Sequence, residues 1–130
     1  MWLFEGLDFS DPENYIGFVY LITNTITGKR YIGKKLFTKA GTKQVKGKKK
    51  KIRKPSDWLD YYGSNKVLIE DVEALGKEHF TREILRLCKT RGECSYFEAK
   101  YQFAYGVLET PDLFYNEQIM CRVHRKHLKL

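Results

Sequence analysis

The sequence predicts a small α+β domain in which a three-stranded antiparallel sheet is flanked by helices. Two β-rich runs separated by a short turn predict a hairpin in the first third of the chain. A helical pattern, a third strand and a second helical pattern follow, so the predicted order is β-β-α-β-α. The chain has 130 residues, of which 42% are apolar. This length and composition suit one packed domain that spans residues 1–130.

The predicted hairpin occupies residues 15–33. Residues 1–14 show no clear periodicity and are expected to form an irregular lead-in. Residues 15–24 are rich in β-branched and aromatic side chains, and residues 29–33 are predicted to form the return strand. The four residues between the two strands end in Gly28, which adopts positive φ without strain and therefore suits a turn.

Two helices and one further strand are expected in the second half of the chain. Ser64 is the predicted N-cap of a helix over residues 64–75, and Gly76 is the predicted stop signal. Residues 80–88 are predicted as the third strand. A last helix is expected over residues 93–107, because apolar side chains recur there at steps of three and four.

Positive charge is concentrated in residues 34–54. The chain has 24 Lys and Arg against 16 Asp and Glu, a net charge of +8. The segment holds eleven of these cations and no acid, so the rest of the chain would be net −3 alone. Because it lacks apolar periodicity, the segment is predicted to be a long inserted loop. Such a block is typical of proteins that bind nucleic acid, although a solvated loop that aids solubility also accounts for it.

Several classes of protein are excluded by the composition. No apolar run approaches the roughly 18 residues that a membrane-spanning helix needs, so no membrane partner is expected. The first residues lack the basic and apolar regions of a secretion signal. Three cysteines without a CxxC pair argue against a disulfide framework. The expected location is therefore the cytoplasm, that of a bacterial host cell if the gene is phage-borne.

Two tyrosines are predicted to lie on the same face of the hairpin. With a four-residue loop, Tyr20 opposes Gly33 and Ile22 opposes Tyr31, so the two tyrosines are diagonal neighbours. Their Cα atoms would then be about 7–8 Å apart. Because Gly33 has no side chain, an open spot is expected above Tyr20, as in the floor of a pocket. The spacing alone favours the simpler interpretation, an aromatic face that packs against a helix.

The segment from Gly17 to Gly33 resembles the signature of the GIY-YIG nuclease family. Its second half, Tyr31-Ile32-Gly33, matches the motif letter for letter. Its first half departs from the motif, since Phe18-Val19-Tyr20 stands where Gly-Ile-Tyr is expected, but it retains the tyrosine. The resemblance covers roughly residues 15–117, and residues 58–64 are similar to phage-borne members in particular. It implies a stand-alone nuclease domain of the phage or homing type.

The resemblance also implies the catalytic residues. Tyr20 is implied as the base that activates water, and Tyr31 as the group that orients water or phosphate. Glu98, on the last predicted helix, matches the metal-binding glutamate of the family. Asn116 is similar to the family's asparagine near the end of the domain.

One catalytic residue of the family has no counterpart at the expected place. Many members carry an arginine about ten residues after the second tyrosine, where this chain has Gly41. Arg53, just beyond the basic block, is the first candidate for this role. Lys34 and Lys35, directly after the motif, are the alternatives, and a simple phosphate contact is an equally good interpretation of Arg53.

The implied activity is that of a divalent-metal-dependent DNA endonuclease. The expected cofactor is Mg²⁺ or Mn²⁺ on Glu98, because Mg²⁺ commonly binds one or two carboxylates together with water and substrate phosphate. Double-stranded DNA is the expected substrate, and a short basic C-terminal tail could also touch it. The lysines expected to contact its phosphates are Lys34, Lys35, Lys48, Lys49, Lys50, Lys51 and Lys54. The alternative is a non-catalytic basic domain that binds nucleic acid and stacks bases on tyrosines; the oligomeric state is left open.

Overall fold

The computed structural model describes residues 1–128, and a mixed β-sheet lies at its centre. In chain order the elements are β1 (Trp2–Phe4), β2 (Leu7–Phe9), β3 (Gly17–Asn24), β4 (Arg30–Leu36), β5 (Thr38–Val45), β6 (Lys48–Pro55), α1 (Lys66–Leu75), β7 (Phe80–Cys88) and α2 (Arg91–Ala104). Short 3₁₀ turns lie at Trp58–Asp60, Lys77–His79 and Arg125–His127. The α+β class predicted from the sequence is confirmed. None of the helices in this described part is long and apolar enough to cross a membrane.

The central sheet is larger than predicted. Within the described residues it has five strands in the order β2-β1-β7-β3-β4. The three predicted strands lie together, because β3 is antiparallel both to β4 and to β7. β1 adds to the outer side of β7 in parallel orientation, and β2 pairs with β1. The sheet of three strands expected from the sequence is therefore only one side of the observed one, the side that ends at β4.

The expectation of an irregular lead-in over residues 1–14 was wrong. Residues 2–9 form the strands β1 and β2, each of only three residues, which is too short to show an alternating pattern. Trp2 anchors this hairpin in the core, where its side chain is 1% exposed. Its indole N–H donates a hydrogen bond of 2.6 Å to the carbonyl oxygen of Trp58.

The sequence predicted a loop over the basic segment, residues 34–54, and this was wrong. Most of the segment forms β-strands. β4 continues to Leu36, and β5 and β6 then pair as a separate antiparallel hairpin. Lys46 and Gly47 at its tip have φ of 50° and 76°, and two such residues in succession are typical of a tight type I′ hairpin turn. Both faces of this hairpin are largely exposed, so its strands carry none of the alternation that usually reveals a strand.

The two helices are close to their predicted positions, but their starts differ. α1 is capped by Asn65 rather than by Ser64, since the Asn65 side chain accepts a hydrogen bond of 3.0 Å from the Leu68 N–H. Gly76 ends the helix with φ of 97°, as predicted. α2 is capped by Thr90 and ends at residue 104, so the helix expected over residues 93–107 begins earlier and is shorter at its end.

Apolar side chains pack on both faces of the sheet, and seven of the eight residues of β3 are therefore buried. One cluster lies between the sheet and α1, and its members include Trp2, Phe18, Tyr20, Ile22, Phe37, Trp58, Leu68 and Val72. The other lies between the sheet and α2, and its members include Val19, Leu21, Ile32, Cys88, Cys94 and Phe97. The two helices therefore cover opposite faces, and β4 remains as an edge strand between them.

Replacing the observed N-cap distinguishes it from the predicted one. Asn65→Ala removes the acceptor for the first turn of α1 and a 3.0 Å hydrogen bond from the Asn65 amide to the Tyr115 carbonyl oxygen. We expect a loss of about 1–2 kcal/mol in the free energy of unfolding, measured by chemical denaturation. Ser64→Ala is the control and is expected to change it by less than about 0.5 kcal/mol. Equal losses in both variants would contradict the assignment of the cap.

Candidate active site

The register of β3 and β4 brings Tyr20 and Tyr31 together. Tyr20 lies opposite Gly33 and Ile22 lies opposite Tyr31, which confirms the predicted pairing. The two phenol rings are tilted relative to each other, with their centroids 6.2 Å apart. Both side chains lie on the face of the sheet that α1 covers.

The space above Gly33 is filled by the Tyr20 ring. A Cβ atom built on Gly33 would lie 2.7 Å from Cζ of Tyr20 and 2.9 Å from Cε2 of Tyr31. The expectation of an open spot at this position was therefore wrong. Glycine is needed here because the Tyr20 phenol packs directly against the backbone of β4, which leaves Tyr20 only 1% exposed.

A third tyrosine, Tyr61, completes the aromatic group. Its ring meets that of Tyr20 edge to face at 5.9 Å, and the Lys35 ammonium lies 4.1 Å from its ring centroid. Lys35 is also paired with Asp57 at 2.6 Å. Sequence reasoning missed Tyr61, because it follows a 3₁₀ turn in a connecting segment where no periodicity predicts the direction of a side chain.

The environment keeps the two motif tyrosines protonated near neutral pH. Burial raises the pKa of Tyr20 well above its ordinary value, and the nearby Tyr61 and Tyr31 phenols and the charge of Glu98 raise it further. Burial also raises the pKa of Tyr31, against a smaller opposing effect of its hydrogen bond to Ser64. The Tyr31 hydroxyl lies 3.3 Å from Oγ of Ser64.

Glu98 approaches the tyrosines around the edge strand β4. It lies on α2 with a side chain that is 15% exposed, and Nζ of Lys34 is 3.9 Å from its Oε1 atom. The same ammonium donates a hydrogen bond of 2.6 Å to Oγ of Ser95, one turn before Glu98 on the helix. Burial raises the pKa of Glu98, and the positive charge of Lys34 opposes this shift.

Asn116 is bound to the backbone of β4 between the tyrosine and the glycine of the motif. Its Nδ2 donates to the Ile32 carbonyl oxygen at 2.8 Å, and its Oδ1 accepts from the Ile32 N–H at 3.1 Å. Nε2 of Gln102 donates to the same carbonyl oxygen at 3.0 Å. The Asn116 amide therefore pairs with the edge of β4 as the backbone of a neighbouring strand would. Its oxygen and its nitrogen are both hydrogen-bonded to Ile32.

Two clefts open beside this group. A cleft of about 490 Å³ is lined mainly by cations and small polar groups, among them Lys34, Lys35, Thr38, Arg53, Arg91 and Ser95. A second, of about 390 Å³, is lined by Tyr31, Ser64, Asn65, Lys66, Asn116, Glu117 and Gln118. Ser64, Ser95 and Glu117 were not among the predicted site residues, since isolated polar residues carry no sequence signal of their own.

The sequence matches the model of a known protein family. The family model described as "Putative endonuclease segE, GIY-YIG domain" matches residues 2–119. The chain belongs to the GIY-YIG family. It is accordingly an enzyme of the endonuclease class, which hydrolyses phosphodiester bonds. Searches of curated proteins and of solved structures gave no significant match.

The cationic residues of this GIY-YIG domain occupy different parts of the first cleft. Lys34 lies beside Glu98, and Lys35 lies over Tyr61. Arg53 lies at the base of the β5–β6 hairpin, where its Nη2 donates to the Thr38 carbonyl oxygen at 2.8 Å. Its Nε also donates to the Thr38 hydroxyl at 3.1 Å, so the guanidinium is already held by the hairpin.

The residues present fit a site with one carboxylate ligand. Among residues 1–128 there is no group of three or more His, Cys, Asp or Glu side chains arranged to hold a metal ion. Glu98 is a partly desolvated carboxylate beside a cleft, and its nearest charged partner is 3.9 Å away rather than in tight contact. Such an oxygen donor is suitable for Mg²⁺ or Mn²⁺ when water and substrate phosphate supply the other ligands.

Adding one methyl group at Gly33 tests the packing of the Tyr20 ring. Because the new Cβ would overlap this ring, Gly33→Ala is expected to lower the free energy of unfolding by about 1–3 kcal/mol. Gly41→Ala is the matched control in a strand, since its Cβ meets only the flexible Lys54 side chain. Chemical denaturation should show almost no loss for the control, and a loss of similar size there would refute the argument.

The buried phenol of Tyr20 should also make the fold sensitive to alkaline pH. Because the pKa of Tyr20 is raised in the folded state, the unfolded chain ionises first, at about 10.0. The stabilising contribution is present below that pH and is lost as the pH rises towards the folded pKa. Between pH 9 and 11 the free energy of unfolding of Tyr20→Phe should therefore fall less with pH than that of the wild type, because about one group fewer ionises on unfolding. Parallel denaturation curves for the two proteins across this range would contradict it.

Proposed function

We propose that the domain is a divalent-metal-dependent endonuclease that cleaves double-stranded DNA, with Tyr20, Tyr31 and Glu98 at its centre. The observation that carries the proposal is the match of residues 2–119 to an endonuclease family, and the geometry supports it. The register of β3 and β4 places Tyr20 and Tyr31 side by side, and the partly buried Glu98 lies beside Lys34. Its position next to a cleft lined by cations suits a phosphodiester substrate.

Hydrolysis of a phosphodiester needs an activated water, stabilisation of the charge on the phosphate and help for the leaving oxygen. Glu98 would hold a divalent cation, which when bound supplies that charge stabilisation and offsets the unfavourable effect of the carboxylate on the two phenols. Lys34, held between Glu98 and Ser95, is placed to contact a phosphate oxygen at the same cleft. Lys35 adds a second positive charge next to Tyr61.

The roles of the two tyrosines follow from their exposure. Tyr31 is only partly buried and lines the second cleft, so its hydroxyl is available to orient water or phosphate. Tyr20 is enclosed, and the ring of Tyr61 packs edge to face against its phenol ring. To act as a base, Tyr20 would need the positive charges of Lys34, Lys35 and a divalent cation on Glu98 to oppose the effect of burial on its pKa.

The remaining predicted residues support the site from outside. Asn116 is proposed as a positioning residue, because both ends of its amide hold the backbone between Tyr31 and Gly33. Arg53 is proposed to contact phosphate at the mouth of the first cleft, and Lys34 takes the place nearest the carboxylate. The lysines of β6 are proposed to attract the DNA backbone by their combined positive charge, and they include Lys48, Lys49, Lys50, Lys51 and Lys54.

Cleavage of supercoiled plasmid tests this function. We expect Mg²⁺ or Mn²⁺ to produce nicked and linear DNA, and EDTA to prevent it. Glu98→Gln should reduce the rate at least about 100-fold without loss of binding in a mobility-shift assay, since one charge-stabilising group is removed. Glu109→Gln, an exposed site with the same chemical change, is the control and should cut like the wild type.

The alternatives give different results in the same assay. Plasmid that is bound but intact with every divalent cation would favour a non-catalytic nucleic-acid-binding domain. Cleavage unchanged in Glu98→Gln would show that the metal-binding carboxylate lies elsewhere. The three free cysteines, Cys88, Cys94 and Cys121, fit a reducing compartment, and the cytoplasm is the location we propose.

A further inference from the structure

Within residues 1–128, the hairpin of β5 and β6 is mostly exposed and is held to the domain chiefly at its base. We refer to residues 38–55 as the basic ribbon. At its base the Ser56 N–H donates to the Phe37 carbonyl oxygen at 2.9 Å, and the Ser56 hydroxyl donates to the Leu36 carbonyl oxygen at 2.6 Å. Phe37 is 2% exposed and packs among aromatic side chains of the core. Beyond this anchor the two strands pair chiefly with each other.

The charge of the basic ribbon is unfavourable for an isolated protein. It carries nine Lys and Arg and no acid. Lys39 lies directly opposite Lys54, and Lys43 lies directly opposite Lys50. Like charges at opposed positions destabilise a pair of strands, and a two-stranded ribbon without a covering layer is marginal even without them. A polyanion laid against the ribbon would remove this repulsion.

The two faces of the basic ribbon differ in chemistry. The register assigns to one face, which we call the mixed face, the pairs Thr38–Pro55, Ala40–Arg53, Thr42–Lys51 and Gln44–Lys49. The opposite face, which we call the cationic face, carries Lys39, Gly41, Lys43, Val45, Lys48, Lys50, Ile52 and Lys54. The mixed face therefore consists of two parallel stripes. Neutral side chains follow β5, and the positively charged side chains of Lys49, Lys51 and Arg53 follow β6.

The mixed face continues into the cleft next to Glu98. Three of the four ribbon residues that line this cleft belong to it, namely Thr38, Ala40 and Arg53. The same cleft is lined by Lys34, which is 3.9 Å from Glu98. A nucleic acid that enters the cleft would therefore lie along the mixed face rather than along the cationic face.

We propose that the basic ribbon lies in the major groove of duplex DNA and reads bases with the neutral stripe of its mixed face, Thr42 and Gln44, while Lys49 and Lys51 bind the phosphates of one strand. This inference rests on the proposed DNA substrate and adds the element that selects its sequence. A B-form major groove is about 12 Å wide and admits a two-stranded ribbon. A glutamine amide pairs with the N6 and N7 atoms of adenine, and the threonine methyl group contacts the methyl group of thymine.

Salt dependence of binding tests which face meets the DNA. The full chain is titrated in EDTA with a fluorescent duplex of mixed sequence at several salt concentrations. Lys49→Ala with Lys51→Ala should lower the slope of log K against log salt by about 1.8, since each phosphate contact contributes about 0.9. Lys43→Ala removes one charge from the cationic face and should lower it by less than about 0.45, half of one phosphate contact. An equal loss for each charge removed from the two faces would overturn the assignment of the faces.

Selection from a random duplex library tests the reading of bases. The wild type in EDTA should enrich a short motif, and Gln44→Ala should lose its preference at one or two adjacent base pairs by at least about fivefold. Val45→Ala, next along the strand but on the cationic face, should keep the motif. The proposal fails if the wild type enriches no motif or if Gln44→Ala leaves it unchanged. It also fails if duplex RNA binds equally well, because its major groove is too narrow for a ribbon.

These measurements do not depend on cleavage. Both are made in EDTA, on folded variants whose thermal unfolding matches that of the wild type. A protein that cuts plasmid but shows no difference between the two faces would keep the proposed nuclease function and lose the ribbon inference. A protein that shows the difference but never cuts would keep the ribbon inference and lose the nuclease function.

Discussion

The register that places Tyr20 opposite Gly33 is the constraint on which the geometry of the site depends. A shift of one residue between β3 and β4 would turn every side chain of the shifted strand to the other face of the sheet. The Tyr20 ring fits only over a residue without a Cβ, so the packing itself excludes such a shift. Asn116 and Gln102 add to this, because they bind the Ile32 backbone on the outer edge of β4. The edge strand is thus fixed from both sides.

The burial that fixes Tyr20 and Tyr31 also raises their pKa values, so the positions of the charged side chains around them matter. Ionisation of Tyr20 is opposed by desolvation and by the carboxylate of Glu98. The structure places Lys34 against Glu98 and Lys35 against Tyr61, on opposite sides of β4. The charge of Lys34 opposes the effect of burial on the pKa of Glu98. Further positive charge at this place would favour ionisation of the carboxylate and of the phenols together.

Parts of this arrangement could be predicted from the sequence, and the differences have physical causes. The pairing of Tyr20 with Gly33 was predictable because the parity of a hairpin follows from its loop length. The position of Tyr61 was not, since its segment has no regular period. The basic ribbon was interpreted as a loop because burial, which creates the alternating pattern, is lacking on both of its faces. The cap of α1 was predicted one residue too early, because Ser64 and Asn65 are both good capping residues and only the backbone conformation decides between them.

The positive charge that can attract a nucleic acid is concentrated in one part of the chain. Without residues 34–54 the chain would be net −3, so a phosphate backbone would be repelled by most of the domain and attracted at one place. That attraction carries a cost for the chemistry, because DNA phosphates near Tyr20 would raise its pKa further. Lys34 beside the carboxylate and Arg53 at the base of the ribbon both line the cleft, so their positive charges oppose this effect. On the proposed functions of the ribbon and the tyrosines, these two side chains therefore serve both binding and ionisation.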